Sequence, residues 1–190
     1  MLLPLLASAL AASPANGRVL TVGERSLLAP IYRDSIEYGS VRVVRGRAFP
    51  LQGKTTIVTI GHAIYAPAPV YLADFSRGTE IDRAILVHEI AHVWQHDAGI
   101  DVVAGAMRAL VATGGRYGRA YDYRLDPRRD LLDYGIEQQA SILEHYYLAR
   151  EVTRDRDRFD AVLRRFLADP RYPRALRRRW GRPRVPRPKE

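Results

Sequence analysis

The sequence predicts an α+β domain that is mainly helical and carries a small sheet of short strands. Two observations predict this class. Alternating or β-branched segments lie in the first half of the chain, and apolar residues at helical spacing dominate from residue 80 onward. The length of 190 residues, with 47% apolar and 27% charged residues, suits one folded domain rather than two.

The two ends of the chain differ in composition from the part between them. Residues 1–16 read MLLPLLASALAASPAN, a signal-like or disordered segment that lacks the basic residues with which a secretion signal usually opens. Export and a cytoplasmic location are therefore equally compatible with it. Residues 171–190 hold nine basic residues and one acidic residue, so this Arg/Pro-rich tail carries +8 of the formal net charge of +9. We expect the folded domain to span residues 17–170.

Composition excludes several classes of function. Because the chain outside the tail carries a net charge of only +1, a basic surface for nucleic acid is not indicated there, and the tail is best interpreted as solvated. No stretch reaches the roughly 20 apolar residues that a membrane span needs. The chain has no cysteine, so any metal ion must be held by His, Asp or Glu. Nothing in the composition indicates an oligomeric state.

The first predicted element is a short helix over Leu20–Arg33. Thr21 is a suitable N-cap residue, and Glu24 follows it at the spacing of a capping box. In such a box the side chain of each residue accepts a hydrogen bond from the backbone N–H of the other. Apolar residues follow Glu24 in the sequence. The domain is therefore expected to open with a helix.

Short strands are predicted after this helix. Val41–Gly46 (VRVVRG) alternates apolar and basic residues, and Thr55–Gly61 (TTIVTIG) is β-branched and ends at a glycine. The segment HAIYAP is expected to continue the second strand past a bend. Pro69–Asp74 fits either a third short strand or a loop. Together these segments predict a small sheet.

From residue 80 the pattern becomes helical. Glu80–Asp97 is predicted as a helix with an inner face at i, i+3, i+4 spacing. The residues of that face are Ile81, Ala84, Ile85, His88, His92 and Gln95. A second helix is expected over residues 98–115, followed by a polar, Tyr- and Arg-rich loop. Two amphipathic helices, over Gly135–Val152 and Asp157–Asp169, complete the domain.

One stretch of the long helix, ILVHEIAHVWQH, carries metal-binding residue types among apolar neighbours. His88 and His92 project from one helix face about 6 Å apart along the axis, within reach of one ion. Glu89 lies about 100° around the helix from His88, where it can reach a metal-bound water without ligating the metal. This is the H-E-x-x-H pattern of zinc peptidases, although chance matches on core helices also occur.

A catalytic zinc ion needs a third protein ligand. His96 shares a face with His92, but it lies about 12 Å from His88 along the axis, so one ion cannot bind all three imidazoles. A rival pairing of His92 with His96 is weaker, and His96 is better suited to the C-terminal end of the helix, where positive charge is favoured. His62 is assigned to a loop and His145 to the surface.

Glutamates of the later helix are the better candidates for the third ligand. Glu137 opens that helix 45 residues after His92, and two histidines with one distant glutamate form a known catalytic ligand set. A carboxylate in a first helical turn is also favoured by the helix dipole alone, so the spacing leaves both interpretations open. Glu144, two turns further on, is the alternative ligand.

Three segments of the chain resemble the Vgr-related zinc peptidase family. They are LTVGERSLLAPIYRDSIEYGSVRV, LVHEIAHVWQH and YDYRLDPRRDLLDYGIEQQASILEHYY, within residues 19–150. That family is related to minimal gluzincins and to the peptidase-like domain of extracellular contractile injection systems. The resemblance implies a zincin-like (gluzincin) fold, with an active-site helix and a third ligand at Glu137. The metzincin pattern does not fit, because Gln95 and Ala98 stand where it needs a glycine and a third histidine.

The resulting hypothesis is zinc-dependent hydrolysis of peptide bonds in a peptide or protein substrate. Zn²⁺ held by the three ligands activates a bound water, and Glu89 takes its proton and passes it to the leaving amine. Tyr134 is the candidate donor to the oxyanion, with Tyr123 as a second choice, although both could simply pack. The alternative is a non-catalytic, metal-stabilised accessory or cargo module, with a tail that could bind polyanions.

Overall fold

One helix and a three-stranded sheet form the N-terminal part of the domain. The protein is represented by a computed structural model that describes residues 16–102, 121–149 and 156–174. Helix α1 spans Val22–Tyr32 and begins at the predicted capping box between Thr21 and Glu24. The strands are β1 (Arg42–Arg45), β2 (Val58–Ile60) and β3 (Ala63–Ala66).

The sheet has the strand order β1-β3-β2, with β1 parallel to β3 and β2 antiparallel to β3. The chain reverses at Gly61, whose φ of +59° lies in the left-handed region that glycine adopts without a steric penalty. The expectation that HAIYAP continues the second strand is therefore wrong, because this turn makes it a separate strand. Pro69–Asp74 forms turns and loop.

Among the described residues, three longer helices follow the sheet. They are α2 (Glu80–Asp97), α3 (Ile136–Leu148) and α4 (Arg156–Ala168). A capping box between Thr79 and Asp82 begins α2, whose bounds match the prediction. Residues 98–101 are not helical, and the remainder of the helix predicted over 98–115 lies outside the described residues, apart from Val102. The α+β class with a small sheet is confirmed.

Helix α2 lies at the centre of the domain. Every residue from Leu86 to Gln95 is buried, so this part of the helix is enclosed on all sides rather than along one face. The predicted inner face is wrong at Ile81, which is 58% exposed. The Tyr32 hydroxyl donates to the Val87 carbonyl over 2.7 Å, which joins α1 to α2.

The described C-terminal end packs onto the same core. Trp94 of α2 donates its indole N–H to the Pro170 carbonyl over 2.7 Å. Tyr172 is 7% exposed, and its hydroxyl donates to Asp130 over 2.7 Å. The chain thus remains packed beyond residue 170, where we expected the tail to begin. Residues 1–15 and 175–190, which hold most of the two predicted terminal segments, lie outside the described part.

Among the residues that the structure describes, no helix has both the length and the apolar character needed to cross a membrane.

Candidate metal centre

Three buried side chains from two helices meet between α2 and α3. The Nε2 atoms of His88 and His92 lie 3.6 Å and 3.3 Å from the same Glu137 oxygen, Oε2. One ligand atom from each of the three residues lies within 4.8 Å of the other two. All three residues are less than 9% exposed. The structure therefore brings together the three residues that the sequence predicts as metal ligands.

The positions follow from the packing of two regular elements. The four-residue spacing on α2 places both imidazoles on one face, one turn apart. Glu137 is in the first turn of α3, and Gly135 is the N-cap residue of that helix. Because α3 packs against α2, the Glu137 carboxylate reaches the Nε2 atoms of both imidazoles.

Each histidine is oriented by a hydrogen bond at its other ring nitrogen. His88 Nδ1 lies 2.9 Å from Glu144 Oε2, and His92 Nδ1 lies 2.9 Å from Gln95 Oε1. The Gln95 amide nitrogen donates to the Ile136 carbonyl over 2.8 Å, so its oxygen must face the ring. Both acceptors favour the tautomer with the proton on Nδ1, which leaves the Nε2 lone pair for a cation.

The charge balance of the centre also suits a cation. Burial acts to lower the pKa of His88, but the nearby carboxylates of Glu137 and Glu144 outweigh it and raise this pKa to about 10. The negative charge of Glu89 acts in the same direction. A buried place where carboxylates stabilise positive charge, with two imidazole nitrogens and one carboxylate oxygen converging, fits Zn²⁺ or a similar divalent ion.

Glu89 lies beside this group and is attached to the sheet. It is 7% exposed, and one of its oxygens, Oε2, accepts a 2.6 Å hydrogen bond from the Thr59 hydroxyl of β2. Thr59 and His92 also line a small cavity of about 80 Å³. The sheet thus fixes the orientation of the carboxylate that the sequence predicts as the general base.

The tyrosines predicted as oxyanion donors have other partners. The Tyr134 hydroxyl accepts from the Asp126 N–H over 2.9 Å and donates to the Arg124 carbonyl over 3.3 Å. The Tyr123 hydroxyl lies 2.6 Å from His145 Nδ1. In this conformation the Tyr134 proton is used by the loop backbone, so its catalytic role stays a prediction.

Several residues of the centre were not found by sequence reasoning. Tyr121 packs its ring 5.9 Å from the His88 ring, Thr59 donates a hydrogen bond to Glu89, and Gln95 orients His92. Only Gln95 had a local signal, because it lies three residues after His92 on the same helix. Glu144, expected as the alternative ligand, instead contacts the outer nitrogen of His88.

The fold and the centre together define a small α+β domain with a candidate divalent-metal site built from two helices. No family model matches the chain. The chain is 36% identical over 155 residues to the type VI secretion system spike protein VgrG2b of Pseudomonas aeruginosa, a match that covers 79% of the chain but only 15% of the spike protein. The solved structure described as the effector domain of Pseudomonas aeruginosa VgrG2b superimposes with a TM-score of 0.69 and 30% identity, over 85% of this chain and 94% of that one.

This chain therefore belongs to the family of the VgrG2b effector domain. The Vgr-related part of the resemblance read from the sequence is confirmed. The relative's description names a spike protein and an effector domain, without a reaction or a metal, so the gluzincin assignment stays a prediction.

Proposed function

We propose that this chain is an effector domain of type VI secretion that hydrolyses peptide bonds with the help of a divalent metal ion, Zn²⁺ being the expected one. The observation that carries the proposal is the convergence of His88, His92 and Glu137 beside a fourth buried group, Glu89. A site that only ties two helices together has no need of a further carboxylate. A buried carboxylate next to the ligands is what a hydrolytic site requires.

The three ligands would hold the ion through the Nε2 atoms of the two histidines and the carboxylate of Glu137. When bound, Zn²⁺ polarises a substrate carbonyl and lowers the pKa of a water molecule in its open position towards about 7. The hydrogen bonds that His88 and His92 donate to Glu144 and Gln95 keep both imidazoles turned towards the ion. In this reading the fold is zincin-like, with α2 as the active-site helix.

Glu89 moves the proton in the proposed reaction. Its carboxylate accepts a proton as water adds to the peptide carbonyl carbon, and it returns that proton to the amine nitrogen as the C–N bond breaks. The Thr59 hydroxyl holds one carboxylate oxygen, which restricts rotation of the group. Burial keeps other water away, so the proton passes between the reacting atoms and Glu89.

Two variants test this assignment. We expect Glu89→Gln to keep the zinc ion of the buried centre and to lose turnover by about 100-fold or more, because the amide cannot accept the proton. Glu137→Ala should lose both the ion of the buried centre and the activity. Metal content by mass spectrometry and cleavage of casein or a peptide library provide the two measurements.

Glu80→Gln is the matched control, because Glu80 is exposed and lies on the same helix, away from the centre. It should match the wild type in metal content and turnover. Full activity in Glu89→Gln would contradict the proposed mechanism. A wild-type protein that holds zinc in this site but cleaves nothing would instead support the non-catalytic module.

The proposed effector role rests on the similarity to the VgrG2b effector domain, and it needs a test of its own. Expression of the wild type in a bacterial host, directed either to the cytoplasm or to the periplasm, should slow growth in one compartment. The Glu89→Gln variant should not. Equal growth with both proteins in both compartments would contradict a toxic hydrolase.

A further inference from the structure

A second group of metal-ligating side chains lies at the C-terminal end of α2. His96 and Asp97 belong to the last turn of this helix, and His62 belongs to the turn between β2 and β3. His62 Nε2 lies 2.7 Å from Asp97 Oδ1, and the two imidazole rings meet edge-on with their centroids 5.1 Å apart. One ligand atom from each residue lies within 4.8 Å of the other two.

The surroundings orient these donors towards one point. A Cβ built on Gly61 would lie 3.9 Å from His96 Nε2, so this nitrogen faces the turn that carries His62. Arg174 lies 3.7 Å from the other Asp97 oxygen, Oδ2, and donates to the Asp97 backbone carbonyl over 3.1 Å. Arg174 thus holds Asp97 through Oδ2 and the backbone carbonyl, and Oδ1 is turned towards His62.

We propose that His62, His96 and Asp97 form a second, surface-accessible site for a divalent transition-metal ion that prefers imidazole ligands, such as Zn²⁺ or Ni²⁺. Donors at roughly 2.0–2.2 Å from an ion lie about 3–3.5 Å apart, so the observed spacing needs only small side-chain rotations. All three residues are half-buried, which leaves room for water to complete the coordination. The proposal does not depend on the hydrolytic function.

The site is distinct from the buried centre, and it has a structural consequence. It joins the β2–β3 turn to the end of α2, whereas the buried centre joins α2 to α3. Both groups border the same small cavity, because His92 and His96 are both among its lining residues. Because an ion that binds only the folded chain stabilises it, filling this site should raise the melting temperature above that of the singly loaded protein.

Zinc titration of the metal-stripped, full-length chain tests the proposal. The wild type should bind two equivalents by calorimetry and mass spectrometry. His96→Ala and Asp97→Asn should each weaken one of them by about tenfold or more, because one of three ligands is removed. The double variant His88→Ala/His92→Ala should keep the surface equivalent.

His145→Ala is the matched control, because His145 is the one histidine outside both groups and all five histidines lie in the described residues. It should bind two equivalents like the wild type. A wild type that binds a single equivalent, lost in the double variant, would overturn the proposal. Two equivalents with wild-type affinities in both His96→Ala and Asp97→Asn would do the same.

Anomalous diffraction from wild-type crystals soaked in zinc covers the case in which a variant does not fold. A peak among His62, His96 and Asp97, in addition to one at the buried centre, supports the second site. Crystals that are saturated with zinc but show no anomalous peak among these three residues would reject the second site.

Discussion

At the scale of single residues, the two histidines of the buried centre differ in the groups that orient them. His88 is held by a carboxylate, Glu144, whose side chain is 23% exposed, and His92 is held by a neutral amide, Gln95, which is fully buried. A carboxylate raises the basicity of the imidazole it orients, while a buried amide fixes a ring without adding charge. Glu144 therefore has the larger electronic effect on the centre.

Substitution of Glu144 should weaken the buried site without removing a ligand. We expect Glu144→Gln to lower zinc affinity by about 10- to 100-fold, because the imidazole of His88 loses its charged partner. Competition with a chromogenic chelator measures the change. Glu80→Gln is again the control, and an affinity equal to that of the wild type in Glu144→Gln would exclude a positioning role for this residue.

The residues of the buried centre differ in how far the sequence alone could predict them. The pair His88 and His92 could be predicted, since four residues on a helix always return to the same face. Glu137 could only be suggested, because its position depends on how α3 packs against α2. The partners Thr59 and Tyr121 were not predicted, since each lies some 30 residues from the histidines along the chain and reaches them only after folding.

At the scale of elements, an ion pair between the partly exposed Arg18 and the buried Glu24 attaches the start of α1 to the rest of the domain. The Glu24 side chain is fully buried and accepts hydrogen bonds from both terminal nitrogens of Arg18, from the Thr21 N–H and from the Phe75 N–H. One carboxylate thus caps α1 and also fixes the segment that leads into α2. The capping box was visible in the sequence, but the other two partners were not.

Removal of Arg18 should destabilise the fold strongly. We expect Arg18→Ala to lower the free energy of unfolding by about 3–5 kcal/mol, because the buried Glu24 carboxylate is left without its cation. Urea denaturation of the metal-stripped protein measures this change. Arg25 lies at an exposed position of α1, and the free energy of unfolding of Arg25→Ala should stay within about 0.5 kcal/mol of that of the wild type. Equal effects of the two substitutions would show that the pair contributes little.

The ends of the helices were predicted better than the ends and directions of the strands. The ends of α2 were predicted to the residue, and the other described helices differ from their predicted bounds by a few residues, since caps and apolar spacing are local signals. The strands proved shorter, and the reversal at Gly61 was missed. A glycine permits a positive φ but does not require it, so only the pairing of β2 with β3 decides the direction of the chain.

At the scale of the whole molecule, α2 contributes residues to both candidate metal sites and contacts the elements that supply the other ligands. Its middle is enclosed by α1, α3 and the sheet, and its last turn reaches the β2–β3 turn. The proposed buried ion would join α2 to α3 through side chains that otherwise concentrate charge in the core. Burying such groups without a counter-ion costs free energy, so the ion should contribute to the stability of the entire fold.

Removal of metal should therefore lower the melting temperature of the whole domain in one cooperative step. Wild-type protein treated with a chelator is expected to melt at a lower temperature than zinc-loaded protein, because the ion binds the folded state preferentially. Calorimetry with and without chelator makes the comparison. The His88→Ala/His92→Ala/His96→Ala variant should show no shift, whereas a chelator effect that persists in it would place the stabilising ion elsewhere.

The sequence by itself determined the helical elements, the pair of imidazoles on α2 and the candidate base Glu89, since all of these follow from spacing along one element. Only the tertiary structure decided that Glu137 meets the imidazoles, that Glu144 orients one of them, and that His62 joins His96 and Asp97. These contacts join residues 34 to 56 positions apart. Their geometry is set by the packing of the core, which acts on all elements at once, and no local pattern in the chain records it.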